Sequence, residues 1–403
     1  MNSHTLPEGL HSDTLAVRAA LERSQHGENS EALYLTSGYV QTSAATSAAR
    51  FAMEEDGFTY SRVGNPTVAS MEVRLAALEG TEAAIATASG MSAILLLGMA
   101  LLKAGDHVIC SQSVFGSVIP MFSREFAKFG IETTFVSQTD VQAWRDVLRP
   151  TTRLLFAETP TNPLTEVCDI RALADIAHNA GAHLAVDNCF ATPVLQQPAA
   201  LGADFIIHSG TKFLDGQGRV MAGAICCTQK QRDELFLPVI RTAGMVLAPF
   251  NAWVLLKGME TLSIRVKAQS ANALALASWL QEQPQVARVH YPGLASHAQH
   301  ALAMRQQSGC GGAVLSFEVV APDVDTARQR AFHVLDSMRV VSLCTNLGDT
   351  KTLAAHPAST SHGRLSEAQR QAAGIGQGLI RVAVGLDHIN DITADLARGL
   401  QTF

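Results

Sequence analysis

Short apolar segments alternate with helical patterns between residues 81 and 227, and this alternation constrains the fold more than any other feature. The predicted helices cover residues 91–102, 117–129, 141–148 and 170–180. Such alternation is typical of parallel strands joined by right-handed crossovers, with helices on both faces and ligands at the carboxyl ends of the strands. The sequence therefore predicts an α/β fold with a large, mostly parallel sheet of seven strands, at residues 83–87, 107–111, 132–136, 153–158, 183–187, 204–208 and 220–227.

The pattern changes after Pro249, where a long helical stretch over residues 251–281 contains Gly258 as a candidate kink. A last helix from Asn390 and further strands predict a smaller C-terminal α+β domain, with strands at residues 286–290, 313–319, 339–344 and 379–384. The first 57 residues include an irregular run of Ser, Thr and Ala, which either frays or docks elsewhere. We expect three parts, which are an arm docking on a neighbouring subunit (1–57), an α/β domain (58–255) and the α+β domain (256–403).

Composition excludes several classes of function. Apolar residues make up 47% of the 403 residues and charged residues only 16%, which is typical of a well-buried globular enzyme. The net charge of −6 comes without a long basic run, so nucleic acid is not an expected partner. No apolar stretch is long enough to span a membrane, and residues 1–7 do not resemble a signal peptide. The seven cysteines show no disulfide or metal-ligand spacing, so we expect free thiols, no metal and a cytoplasmic location.

Lys212 follows the predicted strand at 204–208, after Ser209, Gly210 and Thr211. A lysine just past a buried strand end cannot easily reach bulk water. Desolvation lowers the pKa of such an amine, which makes its neutral form available as a nucleophile toward carbonyl compounds. The two flanking hydroxyl groups are suited to hydrogen-bonding a phosphate. The alternative is a surface lysine in a turn, which is the commoner case for a lysine considered alone.

Two further features lie at the same predicted edge of the sheet. Asp187 ends the apolar strand at 183–187, and a buried carboxylate is costly unless it is paired. The alternative is a capping aspartate at a strand-to-loop exit. Ser89, Gly90 and Met91 follow the strand at 83–87 and open a helix, whose first N–H groups have no internal partners and bind phosphate well. The alternative there is an ordinary turn with an N-cap serine.

Two arginines are candidates for binding anions. Tyr60 and Arg62 lie two residues apart on an extended segment, so their side chains point to one side and suit phosphate oxygens. Alone, Arg62 would be a solvated surface charge. Arg381 lies within an apolar predicted strand, where a buried arginine needs a carboxylate partner from the protein or from a substrate. We favour the substrate.

Together these residues resemble the Cys/Met-metabolism enzymes that depend on pyridoxal 5′-phosphate (PLP). The segment 204–218 is similar to their PLP-attachment signature, and the likeness covers residues 59–386. The resemblance implies the PLP-dependent transferase fold type I, similar to aspartate aminotransferase. It also implies that Lys212 attaches PLP as a Schiff base, that Asp187 pairs with the pyridine nitrogen, and that Arg381 holds the substrate α-carboxylate. Asn162, in a run similar to the family's ESPTNP, would lie near the phenolic oxygen of the cofactor.

The same resemblance implies how the cofactor phosphate is held. A cradle from one chain would contain Ser89, Gly90, Met91, Ser209 and Thr211. Tyr60 and Arg62 match residues that reach the phosphate of a neighbouring subunit. The protein is therefore expected to be a homo-oligomer, at minimum a dimer and usually a tetramer built as a dimer of dimers.

Departures from the family pattern narrow the expected reaction. Phe115 stands where most members stack a tyrosine on the cofactor ring, and a phenyl ring can stack but cannot transfer a proton. Asn346, in the candidate substrate site, stands where many members have serine. Lys351 stands where cystathionine γ-synthases and γ-lyases have a glutamate. Ser117 stands where methionine γ-lyases have a cysteine. Phe115, the run 216–218 and the run 347–353 together look most like the family's O-succinylhomoserine sulfhydrylases, and O-acetylhomoserine sulfhydrylases share the last of these runs.

The resemblance implies a γ-replacement that converts two small molecules, O-succinylhomoserine and sulfide, to homocysteine and succinate in methionine biosynthesis. Because Phe115 cannot carry a proton, Lys212 is expected to move both the Cα and the Cβ protons. The alternatives within the family are an O-acetylhomoserine sulfhydrylase, a cystathionine γ-synthase and a methionine γ-lyase. Outside this class the chain could be a catalytically silent PLP-fold protein, but such a protein has no chemical need for both Lys212 and Asp187.

Overall fold

The computed structural model describes residues 6–363, 367, 370 and 373–402. Its larger sheet has seven strands in the order β1-β7-β6-β5-β4-β2-β3. Strand β7 is antiparallel to both β1 and β6, whereas the pairs from β6 to β3 are parallel. The predicted α/β fold with a mostly parallel seven-stranded sheet is confirmed. The strands are β1 (Ala83–Thr87), β2 (His107–Ser111), β3 (Glu132–Val136), β4 (Thr152–Glu158), β5 (His183–Asp187), β6 (Phe205–Ser209) and β7 (Gly223–Cys227).

Helices cover both faces of this sheet, which explains why its strands are nearly continuous apolar runs. All five residues of β1, β2 and β7 are buried. Alternate side chains of β5 and β6 enter different apolar clusters, because neighbouring strand residues point to opposite faces. The helices of this part of the chain are Pro66–Glu79, Gly90–Leu101, Val118–Pro120, Val141–Asp146, Ile170–Asn179, Thr192–Leu195, Gln229–Gln231, Leu237–Ala243 and Pro249–Glu260, with π-helical turns at Met121–Glu125 and Arg232–Phe236 and 3₁₀ turns at Phe126–Phe129 and Pro198–Leu201.

The C-terminal part is built on a five-stranded sheet in the order β10-β11-β12-β9-β8. Of the strand predicted at 339–344, only Ser342–Leu343 (β10) is a strand in the structure. Strand β11 (Leu353–Ala355) was not predicted. Its three residues have weak β propensity, and they form a strand only because they pair with β10 and with β12 (Leu379–Ala383). Further helices are Leu262–Gln281, His300–Gln306, Val324–Ser337 and Ile389–Leu400, with a 3₁₀ turn at Pro357–Ser359. The strands are β8 (Val286–His290), β9 (Val314–Val319), β10 (Ser342–Leu343), β11 (Leu353–Ala355) and β12 (Leu379–Ala383).

The predicted long helix from 251 to 281 is two helices, and its break is not at Gly258. Helix Pro249–Glu260 ends and helix Leu262–Gln281 begins at Thr261, which has φ −110° and ψ 7°. Gly258 stays helical. A Cβ there would lie 2.2 Å from the Leu214 carbonyl oxygen, so this glycine allows a close backbone approach instead of a kink.

The N-terminal arm behaves differently along its length. Helix Ser12–Arg18 buries Ala16, and the Glu31 carboxylate pairs with Arg74 and Lys257, so this part packs on its own chain. Helix Ala44–Phe51 buries none of its residues. Docking of this second part on a neighbouring subunit stays a prediction. Among the described residues, no helix is both long and apolar enough to cross a membrane.

Candidate active site

A cavity of 660 Å³ opens where the carboxyl ends of β4, β5 and β6 face the C-terminal part of the chain. Parallel strands bring their carboxyl ends to one edge, which is why residues far apart in sequence meet there. Most of the predicted site residues line it, namely Ser89, Gly90, Met91, Phe115, Asn162, Asp187, Ser209, Thr211, Lys212, Asn346 and Arg381.

Lys212 lies in the turn after β6 and its side chain is largely withdrawn from water. Burial is the main cause that lowers the pKa of its amine, and the nearby Arg381 guanidinium lowers it further. Its Nζ donates a hydrogen bond to Asn346 Oδ1, a neutral acceptor that cannot take the proton. The surroundings therefore make the uncharged amine, the form in which a lysine acts as nucleophile or base, more accessible than it is in water.

Asp187 and Glu158 are neighbouring carboxyl groups at the ends of β5 and β4, where they are paired in register. Burial raises the pKa of Asp187, although the hydrogen bonds from Cys189 oppose this effect. Burial raises the pKa of Glu158 well above its usual range, and the adjacent Asp187 adds to the effect. A cationic N–H facing Asp187 would compensate its burial, which is the chemistry of a protonated ring nitrogen.

The helix Gly90–Leu101 points its amino end into the cavity. Ser89 caps it, because its side chain accepts a hydrogen bond from the Ser92 amide at 3.2 Å. A Cβ at Gly90 would lie 2.9 Å from Ser209 Cβ, and a Cβ at Gly223 would lie 2.1 Å from the Ser89 carbonyl oxygen. The turn is thus pressed onto β6 and β7 with no room for side chains, and its free amides form a cradle that fits a phosphate.

Replacing Gly223 with alanine is expected to displace this cradle. The new methyl group would meet the backbone of Ser89, which cannot give way as a flexible side chain can. We expect a loss of stability of about 1–3 kcal/mol and about tenfold weaker binding of PLP. Thermal unfolding and an absorbance titration with PLP measure the two effects. Gly376→Ala, with no atom within 4 Å of its new methyl group, is the control. Equal PLP affinity in both variants would contradict the cradle.

Arg381 is a buried cation whose polar partners are all neutral. Its guanidinium donates to the carbonyl oxygens of Thr345 (2.7 Å) and Asn346 (3.0 Å) and to Asn162 Oδ1 (3.1 Å). Its Nε is buried without a hydrogen-bond partner, and no ion pair among the described residues includes it. Burial lowers the pKa of Arg381 to about 10. A carboxylate arriving in the cavity would supply the missing negative charge.

Tyr60 and Arg62 lie outside this cavity. Both are exposed, and the Arg62 guanidinium is 5.5 Å from the centre of the Tyr60 ring. Arg62 also donates to the Arg241 carbonyl oxygen. Within one chain, therefore, neither residue approaches the cradle.

Several residues that line the cavity were not among the predicted site residues. Glu158 ends a buried strand as Asp187 does, so the strand-end rule places it at the same edge of the sheet without indicating what it contacts. Cys189 lies beside Asp187, and the Ser209 amide donates to its Sγ at 2.8 Å. Ser361 reaches the cavity only through a tertiary contact, since a Cβ on Gly116 would lie 2.7 Å from the Ser361 carbonyl oxygen. No local pattern marks such a residue.

Known proteins share this architecture over nearly the whole chain. A family model described as Cys/Met metabolism PLP-dependent enzyme matches residues 13–401. An O-succinylhomoserine sulfhydrylase of Pseudomonas aeruginosa is 57% identical over 98% of this chain and 96% of its own length. Another O-succinylhomoserine sulfhydrylase, from Mycobacterium tuberculosis, is 46% identical over 98% of this chain and 97% of its own length.

Solved structures agree with these matches. A putative O-acetylhomoserine (thiol)-lyase of Campylobacter jejuni superposes with a TM-score of 0.93 at 32% identity, covering 98% of this chain and 100% of that one. That protein carries a pyridoxyl-lysine phosphate. The predicted fold type and the PLP cofactor are confirmed, and the chain belongs to the Cys/Met metabolism PLP-dependent enzymes.

Proposed function

We propose that this chain catalyses a γ-replacement in which O-succinylhomoserine and sulfide give homocysteine and succinate. The observation that carries the proposal is its 57% identity to a protein named O-succinylhomoserine sulfhydrylase. In this reaction the Cγ–O bond breaks, succinate leaves with the electron pair, and a Cγ–S bond forms. Homocysteine is a precursor of methionine, so the enzyme is a transferase of methionine biosynthesis.

The cavity residues fit PLP, and each would hold a different part of it. PLP, when bound, supplies the electron sink that makes the substrate's Cα and Cβ protons removable. Asp187 would keep the ring nitrogen protonated, and Phe115 would stack on the ring. The cradle of Ser89, Gly90, Met91, Ser209 and Thr211 would bind the phosphate, and Asn162 would bind near the phenolic oxygen.

Lys212 both attaches the cofactor and moves protons. Burial lowers the pKa of its amine, which makes Nζ a better base to take the proton from Cα and then from Cβ, so that succinate can leave from Cγ. The same atom returns the protons after sulfide has added. Phe115 has no titratable group, and Asn346 holds Nζ as a neutral acceptor. Lys212 is therefore the group that we assign to both proton transfers.

Arg381 and Asn346 would bind the substrate, and Arg381 would bind the α-carboxylate of that substrate. Replacing Arg381 with glutamine keeps a donor for the surrounding carbonyl groups and removes the charge. Truncating one partner of a buried charge pair costs about 2–5 kcal/mol, so kcat/KM is expected to fall at least about 30-fold. Initial rates over a range of ester concentrations give this ratio, with exposed Arg328→Gln as control. An unchanged kcat/KM would mean that Arg381 does not bind the carboxylate.

We also propose that the active enzyme is a homo-oligomer, a tetramer built as a dimer of dimers. Among the described residues of the cavity, the only Lys or Arg side chains are Lys212 and Arg381, and neither belongs to the cradle. A phosphate therefore lacks a cation from its own chain. Tyr60 and Arg62 of a second copy would supply one, which agrees with their exposure and their distance from the cavity of their own chain. Helix Ala44–Phe51, none of whose residues is buried on its own chain, would pack on the same copy.

A cytoplasmic location is proposed from the cysteines. All seven are free thiols, and four of them are buried, namely Cys110, Cys168, Cys226 and Cys227. Unpaired thiols in such number are typical of a reducing compartment.

Product analysis tests the proposed function. Succinyl- and acetyl-homoserine are each offered sulfide, cysteine or no thiol, and amino acids and keto acids are separated. We expect the fastest formation of homocysteine from the succinyl ester with sulfide. Faster formation of cystathionine from cysteine would indicate a cystathionine γ-synthase. Release of ammonia and a keto acid without any thiol would indicate a methionine γ-lyase. A preference for the acetyl ester would indicate an O-acetylhomoserine sulfhydrylase. No turnover of either ester would indicate a catalytically silent relative, and a purified protein that was colourless and unchanged by borohydride would contradict PLP chemistry itself.

A further inference from the structure

Glu158 is a buried carboxyl group that contacts two separate loops of the active site. It ends β4, and its side chain lines the cavity. Oε2 accepts a hydrogen bond from the Phe115 amide at 2.6 Å, and Oε1 accepts one from the Asn162 amide at 3.2 Å. Each oxygen therefore binds the backbone of a different loop.

Each of these loops carries a group that faces the ligands. Phe115 belongs to the loop after β2, and its ring is the one assigned to stack on the cofactor. Asn162 belongs to the turn after β4, and its Oδ1 accepts from Arg381, the assigned carboxylate anchor. The loop after β2 is also confined on its other side, because Gly116 packs against the Ser361 carbonyl group. Glu158 thus lies between the stacking group and the anchor.

We propose that Glu158 is a positioning residue, which holds the Phe115 ring and the Asn162–Arg381 pair in one fixed arrangement through its two carboxyl oxygens. The proposal rests on the proposed function for the roles of Phe115 and Arg381, and it assigns no proton transfer to Glu158.

Only a carboxyl group satisfies this geometry. Two N–H donors that approach from different loops need two acceptor atoms on one short side chain, and glutamine offers a single oxygen. Burying a carboxyl group beside Asp187 is costly, and the two hydrogen bonds offset part of that cost. A residue that only filled space would not need such an arrangement.

The direct test is amide hydrogen exchange in the apo-protein, which needs neither cofactor nor activity. Glu158→Gln keeps the shape and deprives one of the two amides of its acceptor. Exchange at the Phe115 or the Asn162 amide is expected to rise about tenfold. The matched control is Asp395→Asn, since Asp395 is also buried and accepts from the amides of residues 339–341, none of which lines the cavity. Its variant should change exchange only there. Unchanged exchange at both Phe115 and Asn162 in Glu158→Gln would overturn the proposal.

A double-mutant cycle with PLP tests whether Glu158 acts through the ring. The dissociation constant of PLP is measured for wild type, Glu158→Gln, Phe115→Leu and the double variant. Each single change is expected to weaken binding, and the double change to weaken it by less than the product of the two factors. If the double variant weakens PLP binding by the full product of the two single factors, Glu158 does not act through Phe115 and this part of the proposal is wrong. These titrations do not depend on turnover, so a wild-type protein that failed to make homocysteine would refute the proposed function and leave this test intact.

Discussion

Replacing Lys212 with alanine is expected to lower the rate of homocysteine formation by about 10⁴-fold, the upper range for a group that transfers protons in catalysis. The reason is that one amine is assigned to both proton transfers, and no neighbour can replace it. Phe115 has no titratable group, and Asn346 is a neutral acceptor of the Lys212 Nζ hydrogen bond. Thiol release from O-succinylhomoserine and sulfide measures the rate. Lys128→Ala, which changes a lysine exposed on the surface, is the control.

Borohydride reduction adds a readout that does not depend on the rate. Reduction of the wild type followed by peptide mass spectrometry should find the pyridoxyl group on Lys212 and on no other lysine. The alanine variant should bind PLP without fixing it covalently. A variant that bound PLP and kept full turnover would contradict the assigned role of Lys212.

Replacing Asp187 with asparagine is expected to lower kcat about 10³-fold, because a neutral amide cannot keep the ring nitrogen protonated and charge-paired. Burial raises the pKa of Asp187, so the folded apo-protein binds this proton more tightly than the unfolded chain does. Its ionisation therefore costs stability as pH rises from the ordinary carboxyl range through the raised pKa. At neutral pH the apo form of the asparagine variant is expected to be more stable than the wild type, while its catalysis is impaired.

Thermal unfolding of both apo-proteins, together with initial rates of the loaded enzymes, measures the two effects. Asp169→Asn is a suitable control, since Asp169 caps helix Ile170–Asn179 and asparagine caps a helix equally well. The Asp187 assignment would be contradicted by an asparagine variant that kept wild-type kcat. An apo variant less stable than the wild type would contradict the argument from burial.

The parts of the fold that follow from local pattern were predictable. Buried parallel strands need apolar runs, and each run ends where a ligand can bind, so Asp187, Ser209 and Lys212 could be placed at one edge from sequence. The antiparallel direction of β7 could not be predicted, because its run is as apolar as those of the parallel strands in the same sheet. Strand β11 depends on partners that lie elsewhere in the chain.

The candidate site divides in the same way. Residue types at strand ends and at a helix start predicted the cradle and Lys212. The contacts among them, such as Arg381 with Asn162 and Glu158 with Phe115, join segments far apart in the chain, and no local pattern encodes these pairings. Glu158 shows the difference most clearly, since its strand-end position was visible in the sequence while its two amide partners were not.

The most direct test of the γ-replacement is the reaction run in D₂O. Homocysteine made from O-succinylhomoserine and sulfide is isolated, and its deuterium content is measured at each carbon by NMR. Proton removal and return by Lys212 predict deuterium at both Cα and Cβ, because the amine exchanges its protons with solvent between the two halves of the reaction. Direct displacement of succinate at Cγ leaves both positions unlabelled. Homocysteine formed at the full rate without deuterium at Cα and Cβ would contradict the mechanism.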